Sequence, residues 1–246
     1  NTDARVMAWF LDEYSILNGH KPGVVTGKPV ALGGSIGRED ATGRGVMIAT
    51  LAAMAKIDIL PEGATCAVQG FGNVGSFAAL LLHQRGVRIV AVSDAYGGIY
   101  NAKGLDIEKV IDHRNATKSV VGFEGSEPIE NKDLLELKVD ALLPCALDNV
   151  IDAENAPRIQ AKLICEGANS PVTAGGDQVL NERGVCVVPD ILANAGGVTA
   201  SYFEWVQNRQ HYRWDVHRVR QELDRVLGEA FENVWEVAGQ RKVSLR

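Results

Sequence analysis

Between residues 64 and 189 the chain alternates short, continuously apolar runs with amphipathic segments. The apolar runs are Thr65-Cys-Ala-Val-Gln-Gly, Val87 to Asp94, Val139 to Pro144, Ala161 to Glu166 and Val185 to Pro189. Between them, Asn73 to Arg85 puts Val74, Phe77, Ala78, Leu81 and Leu82 on one face and closes at Gly86. Shorter helices are predicted over Leu105–His113 and Gly175–Arg183. Strands that are apolar on both faces and spaced by helices predict a doubly wound, mainly parallel sheet with flanking helices, an α/β fold. The polar, mixed segment Arg114–Lys138 reads as a surface excursion with one helical turn at Lys132–Glu136. Ala195-Gly-Gly-Val reads as a chain break, and Thr199–Arg209 as the helix after it.

The ends carry a different pattern. Val6, Met7, Phe10, Leu11, Tyr14 and Leu17 follow helical spacing, and Asn18-Gly19 stops that helix. Val219, Leu223, Val226, Leu227, Ala230, Phe231, Val234 and Val237 trace a second apolar stripe, ending near Gly239. An apolar helix face beginning at residue 3 needs a covering surface. The expectation is that the chain is part of a longer protein.

Composition narrows the function classes. The chain has 246 residues, 46% of them hydrophobic and 23% charged, the balance of a globular protein rather than a disordered one. Its net charge of −6 and the absence of a basic block argue against nucleic-acid binding. The longest stretch free of Asp, Glu, Lys and Arg, Gly63–Gln84, contains four glycines, Gln69 and Asn73, which disqualifies it as a membrane helix. Cys66, Cys145, Cys165 and Cys186 lie far apart and in or beside apolar runs, as buried reduced thiols do, which suits the cytoplasm. The five histidines form no metal-type cluster.

Candidate chemistry begins at Gly70-Phe71-Gly72-Asn73-Val74-Gly75, a G-x-G-x-x-G string. The string alone is weak, but here it follows a predicted strand and opens a predicted helix. Gly70 then permits the tight turn, Gly72 a close approach of pyrophosphate, and Gly75 close packing of helix on strand. The next strand ends in Asp94, nineteen residues beyond Gly75, where a carboxylate can accept both ribose hydroxyls. No cation neighbours Asp94 in sequence, so a 2′-phosphate would meet a bare carboxylate, which favours NAD over NADP.

Four strings together carry a family resemblance. Lys28-Pro-Val-Ala-Leu-Gly-Gly-Ser-Ile-Gly-Arg-Glu-Asp-Ala-Thr-Gly-Arg-Gly, Gln69-Gly-Phe-Gly-Asn-Val-Gly, Glu166-Gly-Ala-Asn-Ser-Pro and Pro189-Asp-Ile-Leu-Ala-Asn-Ala-Gly-Gly-Val-Thr-Ala-Ser-Tyr-Phe-Glu-Trp resemble signatures of the glutamate dehydrogenases, in the Glu/Leu/Phe/Val dehydrogenase family. The resemblance covers essentially the whole chain and implies the nucleotide-binding portion of such an enzyme. It implies residues 1–37 as the tail of a substrate domain and hinge, 38–200 as the dinucleotide-binding domain, and 201–246 as hinge helices leading back to the substrate domain. Arg38 and Thr42 match positions near the nicotinamide. Phe71, Asn73 and Val74 match pyrophosphate-loop contacts, and Ala146 and Asn169 match positions lining the ribose and nicotinamide. Asn194 matches a residue holding the amino acid near its α-carbon, and Ser201 the hydroxyl that meets the substrate's side-chain carboxylate. The catalytic Lys and Asp of the family fall before residue 1, so no catalytic residue is expected in this chain. Ser170 departs from the pattern, where Gly is commoner, and is expected to matter little.

The implied activity is NAD-dependent oxidative deamination of L-glutamate to 2-oxoglutarate and ammonia, by a cytoplasmic homohexamer. One alternative is a branched-chain or aromatic amino-acid dehydrogenase, against which the Ser201 hydroxyl argues. Another, of a different class, is a non-catalytic nucleotide-binding regulatory subunit.

Overall fold

A computed structural model describes residues 2–246. Its sheet contains β1 (Thr65–Gln69), β2 (Arg88–Asp94), β3 (Gly97–Tyr100), β4 (Glu127–Ile129), β5 (Ala141–Pro144), β6 (Leu163–Cys165) and β7 (Cys186–Val188), in the order β4-β3-β2-β1-β5-β6-β7. The run from β2 through β1 and β5 to β7 is parallel, and β3 and β4 extend it antiparallel. The chain therefore leaves β1 for β2 on one side and returns to β5 on the other. This makes the carboxyl ends of β1 and β5 the topological switch point, where ligands of such sheets bind.

The helices are α1 (Ala4–Asn18), α2 (Ala41–Lys56), α3 (Asn73–His83), α4 (Ile107–Thr117), α5 (Asn131–Leu135), α6 (Ala174–Glu182), α7 (Asp190–Ala193), α8 (Gly196–Gln210) and α9 (Val216–Arg241). One face of the sheet packs through Val68, Ile89 and Leu143 onto Val46, Met47 and Met54 of α2 and Phe231 of α9. The other packs through Ala67, Ala91, Leu142 and Ile164 onto Leu134 and Leu180. Both faces are covered, which is why the central strands read as unbroken apolar runs.

Several sequence expectations are corrected. Helix α2, the element between the sheet and α8/α9, has no counterpart among the predicted elements. Ten of its sixteen residues are buried, all round its circumference, so it shows no amphipathic stripe to read. The segment Arg114–Lys138 is not simply a surface excursion. It contains the last turn of α4 and strand β4, and it buries Val120, Leu134 and Leu135. Strand β3 was hidden by Gly97-Gly98, which carry no side chain to pack. Gly196 and Gly197 do not break the chain but form the first turn of α8. A Cβ on Gly196 would sit 2.0 Å from the Ala41 carbonyl oxygen, so these glycines let α8 lie against the start of α2.

Of the stripe predicted on α1, only Leu11 is buried, while Phe10 and Leu17 are exposed. The stripe on α9 is buried through Val219, Leu223, Leu227 and Phe231. A buried ion pair ties the chain after α1 to α8: Lys28 Nζ lies 2.5 Å from Glu204 Oε1, and both side chains are inaccessible. The Gly27 N–H donates to the other Glu204 oxygen, and Lys28 Nζ also donates to the Val25 carbonyl.

Candidate dinucleotide and substrate cleft

The phosphate loop forms because β1 is followed at once by Gly70, whose φ of +94° lies in the left-handed region that glycine enters without strain. A Cβ on Gly75 would fall 1.9 Å from the Gly70 carbonyl oxygen, so the helix can close on the strand only with glycine there. A Cβ on Gly72 would meet nothing within 4 Å, so the loop is open on that side. No side chain caps the start of α3 at Gly72, which leaves its first N–H groups for an anion. The loop thus fits a pyrophosphate. The Gly70 and Phe71 N–H groups donate to the Ser93 carbonyl, fixing the loop against the end of β2. The Phe71 side chain is buried in the core, so only its backbone remains for a ligand.

Asp94, at the end of β2, is more engaged than its place in the sequence suggests. Its Oδ2 accepts from Ser119 Oγ at 2.8 Å and from the Val120 N–H at 2.6 Å, and its Oδ1 from the Tyr96 N–H at 2.8 Å. A carboxylate offers about four acceptor sites, so roughly one remains for a ribose hydroxyl.

The other candidates converge on a cleft of about 810 Å³ at the carboxyl edge of the sheet. Arg38 and Thr42 enter it from the start of α2, Val74 from α3, Ala146 from the loop after β5, and Asn169 from the loop after β6. Asn194 and Ser201 come from the α7–α8 region. Asn194 Nδ2 donates to Asn169 Oδ1 at 2.8 Å, and Arg38 Nε donates to Ser201 Oγ at 3.1 Å. The Ser201 hydroxyl donates to the Gly197 carbonyl one turn back, so it stands inside α8 rather than capping it. Thr26 and Cys145 also line the cleft. Sequence reasoning passed over both, since neither sits in a recognisable local pattern. Burial pushes the Cys145 thiol well above its ordinary pKa, which keeps it protonated and unreactive.

The loop carrying Asn169 is braced from behind. Glu166 is fully buried, accepts from the Asp190 N–H at 2.8 Å and pairs with Arg246, which also reaches Asp177. Burial outweighs the Arg246 charge and pushes the Glu166 carboxyl up to about 7. Ser170 adopts φ +48°, a left-handed conformation that costs an L-residue about 1–2 kcal/mol and suits glycine. Its N–H is held by Asp190 Oδ2 at 2.7 Å.

A glycine-rich loop at the switch point of a doubly wound sheet, beside a polar cleft, defines a Rossmann-type domain. The chain belongs to the Glutamate/Leucine/Phenylalanine/Valine dehydrogenase family, whose model matches residues 33–246. It is 54% identical to the glutamate dehydrogenase of Thermotoga maritima, over all of this chain and 60% of that protein. It is 45% identical to the cryptic catabolic NAD-specific glutamate dehydrogenase GudB of Bacillus subtilis, over all of this chain and 57% of that protein. Among solved structures, the hetero-hexameric glutamate dehydrogenase of Thermus thermophilus superposes with a TM-score of 0.92 at 36% identity, covering 99% of this chain and 58% of that one. The chain therefore spans less than two thirds of these relatives.

Proposed function

We propose that this chain is the coenzyme-binding part of an NAD-linked glutamate dehydrogenase. The reaction takes L-glutamate, NAD⁺ and water to 2-oxoglutarate, ammonium, NADH and a proton. The observation that carries this reading is the single cleft uniting Arg38, Thr42, Ala146, Asn169, Asn194 and Ser201 beside the Gly70–Gly75 loop. When bound, the nicotinamide supplies the hydride acceptor. The chain's own residues bind and orient. The loop and the α3 N-terminus hold the pyrophosphate, and Asp94 holds an adenosine-ribose hydroxyl. Thr42 and Asn169 fix the nicotinamide end, with Asn169 oriented in turn by Asn194. Arg38 gives the substrate's side-chain carboxylate a cation, and Ser201, its hydroxyl turned from the Gly197 carbonyl, gives it a donor beside that cation.

Proton transfer at the amine falls to the Lys and Asp that the family resemblance puts before residue 1, and residues 1–37 and 201–246 link to that substrate domain. The names of the Bacillus relatives support NAD as coenzyme, and that of the Thermus structure supports a six-subunit assembly, here read as a homohexamer. A cytoplasmic location completes the reading. The test is to express residues 1–246 alone, titrate NADH by nicotinamide fluorescence and assay glutamate-dependent NADH formation. Binding without turnover is expected, because positioned acid–base groups contribute about 10²–10⁴-fold each. Turnover at ordinary dehydrogenase rates would overturn the assignment of the catalytic groups to the substrate domain.

A further inference from the structure

The structure assigns Arg114, a residue without a place in the reading above, to the coenzyme site: we propose that its guanidinium is a binding group for the phosphates of the dinucleotide. This rests on the dinucleotide reading of the Gly70–Gly75 loop. Arg114 stands in the last turn of α4, far from the loop in sequence. One of its terminal nitrogens donates to the Phe71 carbonyl at 2.6 Å, and the guanidinium carbon lies 5.6 Å from the centre of the Phe71 ring. The other terminal nitrogen donates to Asn115 Oδ1 at 3.3 Å.

Four residues further on, the same helix end reaches the ribose acid. The Lys118 N–H closes on the Arg114 carbonyl, and Ser119 and Val120 then bind Asp94. Asp94 follows Ser93, whose carbonyl takes the Gly70 and Phe71 N–H groups. The contacts form a closed ring: phosphate loop, Arg114, the end of α4, Asp94, and back to the loop. Arg114 therefore bridges the two parts of the site that take the phosphates and the adenosine ribose.

Charge gives the reason for a cation at this point. A helix C-terminus carries about half a negative charge on its free carbonyls, and α4 ends against the site. The Lys118 ammonium covers one of those carbonyls, that of Asn115, and Arg114 sets a second cation on the side of the phosphate loop. Arg114 pairs with no carboxylate among the described residues, so its charge is not spent inside the chain. Two of its five N–H groups are used, and the planar fork matches a phosphate.

A purely structural role, a strut under Phe71, makes a different prediction: loss of a strut deforms the site and weakens adenosine along with the dinucleotide, whereas loss of a phosphate contact spares adenosine. In the full-length protein, Arg114→Gln should weaken NADH and ADP-ribose about ten- to hundredfold, the range for one charged hydrogen bond. It should leave adenosine, measured by competition, unchanged, and should flatten the salt dependence of NADH binding. Arg114→Lys should recover part of the loss. Unchanged NADH affinity in Arg114→Gln, or an equal loss for NADH and adenosine, overturns the assignment while the dinucleotide site stands. Failure of the unmodified protein to bind NADH overturns the underlying reading, and the assignment with it.

Discussion

At the scale of single residues, the environment of Asp94 changes what its replacement should do. In the site as proposed the carboxylate would repel a 2′-phosphate, and in the structure it anchors the Ser119–Val120 turn. Asp94→Asn removes the charge and, with its one oxygen turned to Ser119 and Val120, keeps that turn while giving up the bond from the Tyr96 N–H, so it should narrow the preference for NADH over NADPH by roughly tenfold, ~1.4 kcal/mol. Asp94→Ala also frees the turn and should weaken both coenzymes. Parallel titrations of NADH and NADPH check this, and tighter NADPH than NADH binding by the unmodified protein would refute the role given to Asp94. Ser201 is the second case. Its hydroxyl accepts from Arg38, and in the site as proposed only a substrate with a side-chain carboxylate would use that pair. In the full-length enzyme, Ser201→Ala should lower kcat/KM for glutamate roughly ten- to hundredfold and leave norvaline nearly unchanged. Equal losses on the two substrates would make Ser201 a structural residue.

At the scale of elements, α8 is held from two sides by different means. Gly196 lets it touch the start of α2, and the Lys28–Glu204 pair fastens residues 25–28 to its middle. Thr26, in that fastened segment, and Ser201, on α8, line the same cleft, so the pair joins two segments that border it. Lys28→Met leaves Glu204 buried without its cation and should cost about 3–5 kcal/mol, read from urea unfolding. Adding Glu204→Leu should restore much of that loss, because the stranded charge goes with it. A loss under about 1 kcal/mol in Lys28→Met would mean that water reaches Glu204. The sequence signalled none of this. Lys28 and Glu204 lie 176 positions apart, and each alone reads as an ordinary charged residue.

At the scale of the whole molecule, Glu166 links the chain's last residues to the cleft through Arg246 on one side and the Asp190 N–H on the other. Arg246, Asp177 and Asp190 are the charged groups around it. Its carboxyl is raised to about 7, so between the ordinary carboxylate value and 7 the folded chain binds more protons than the unfolded chain. Its contribution to stability is therefore full below about pH 4.5 and is lost as the pH rises through about 7. Urea midpoints from pH 5 to 8 should fall more steeply in the unmodified protein than in Glu166→Gln. Parallel profiles would show that Glu166 ionises as a solvated acid does.

The sequence by itself determined the class of fold, the phosphate loop and the family. Strands buried on both faces must be apolar throughout, a phosphate turn needs glycines at fixed offsets, and both constraints are local and therefore legible. Tertiary structure alone decided what depends on contacts between distant residues. Helix α2 is packed on every side and so shows no periodicity, Gly196 and Gly197 serve a neighbouring helix rather than a turn, and Arg114 reaches Phe71 only because α4 folds back across the loop. The candidate residues of the cleft were named one by one from motifs. That Asn169 meets Asn194 follows from the order of strands in the sheet, which sets β6 beside β7, and that Arg38 meets Ser201 follows from the close packing of α8 on the start of α2.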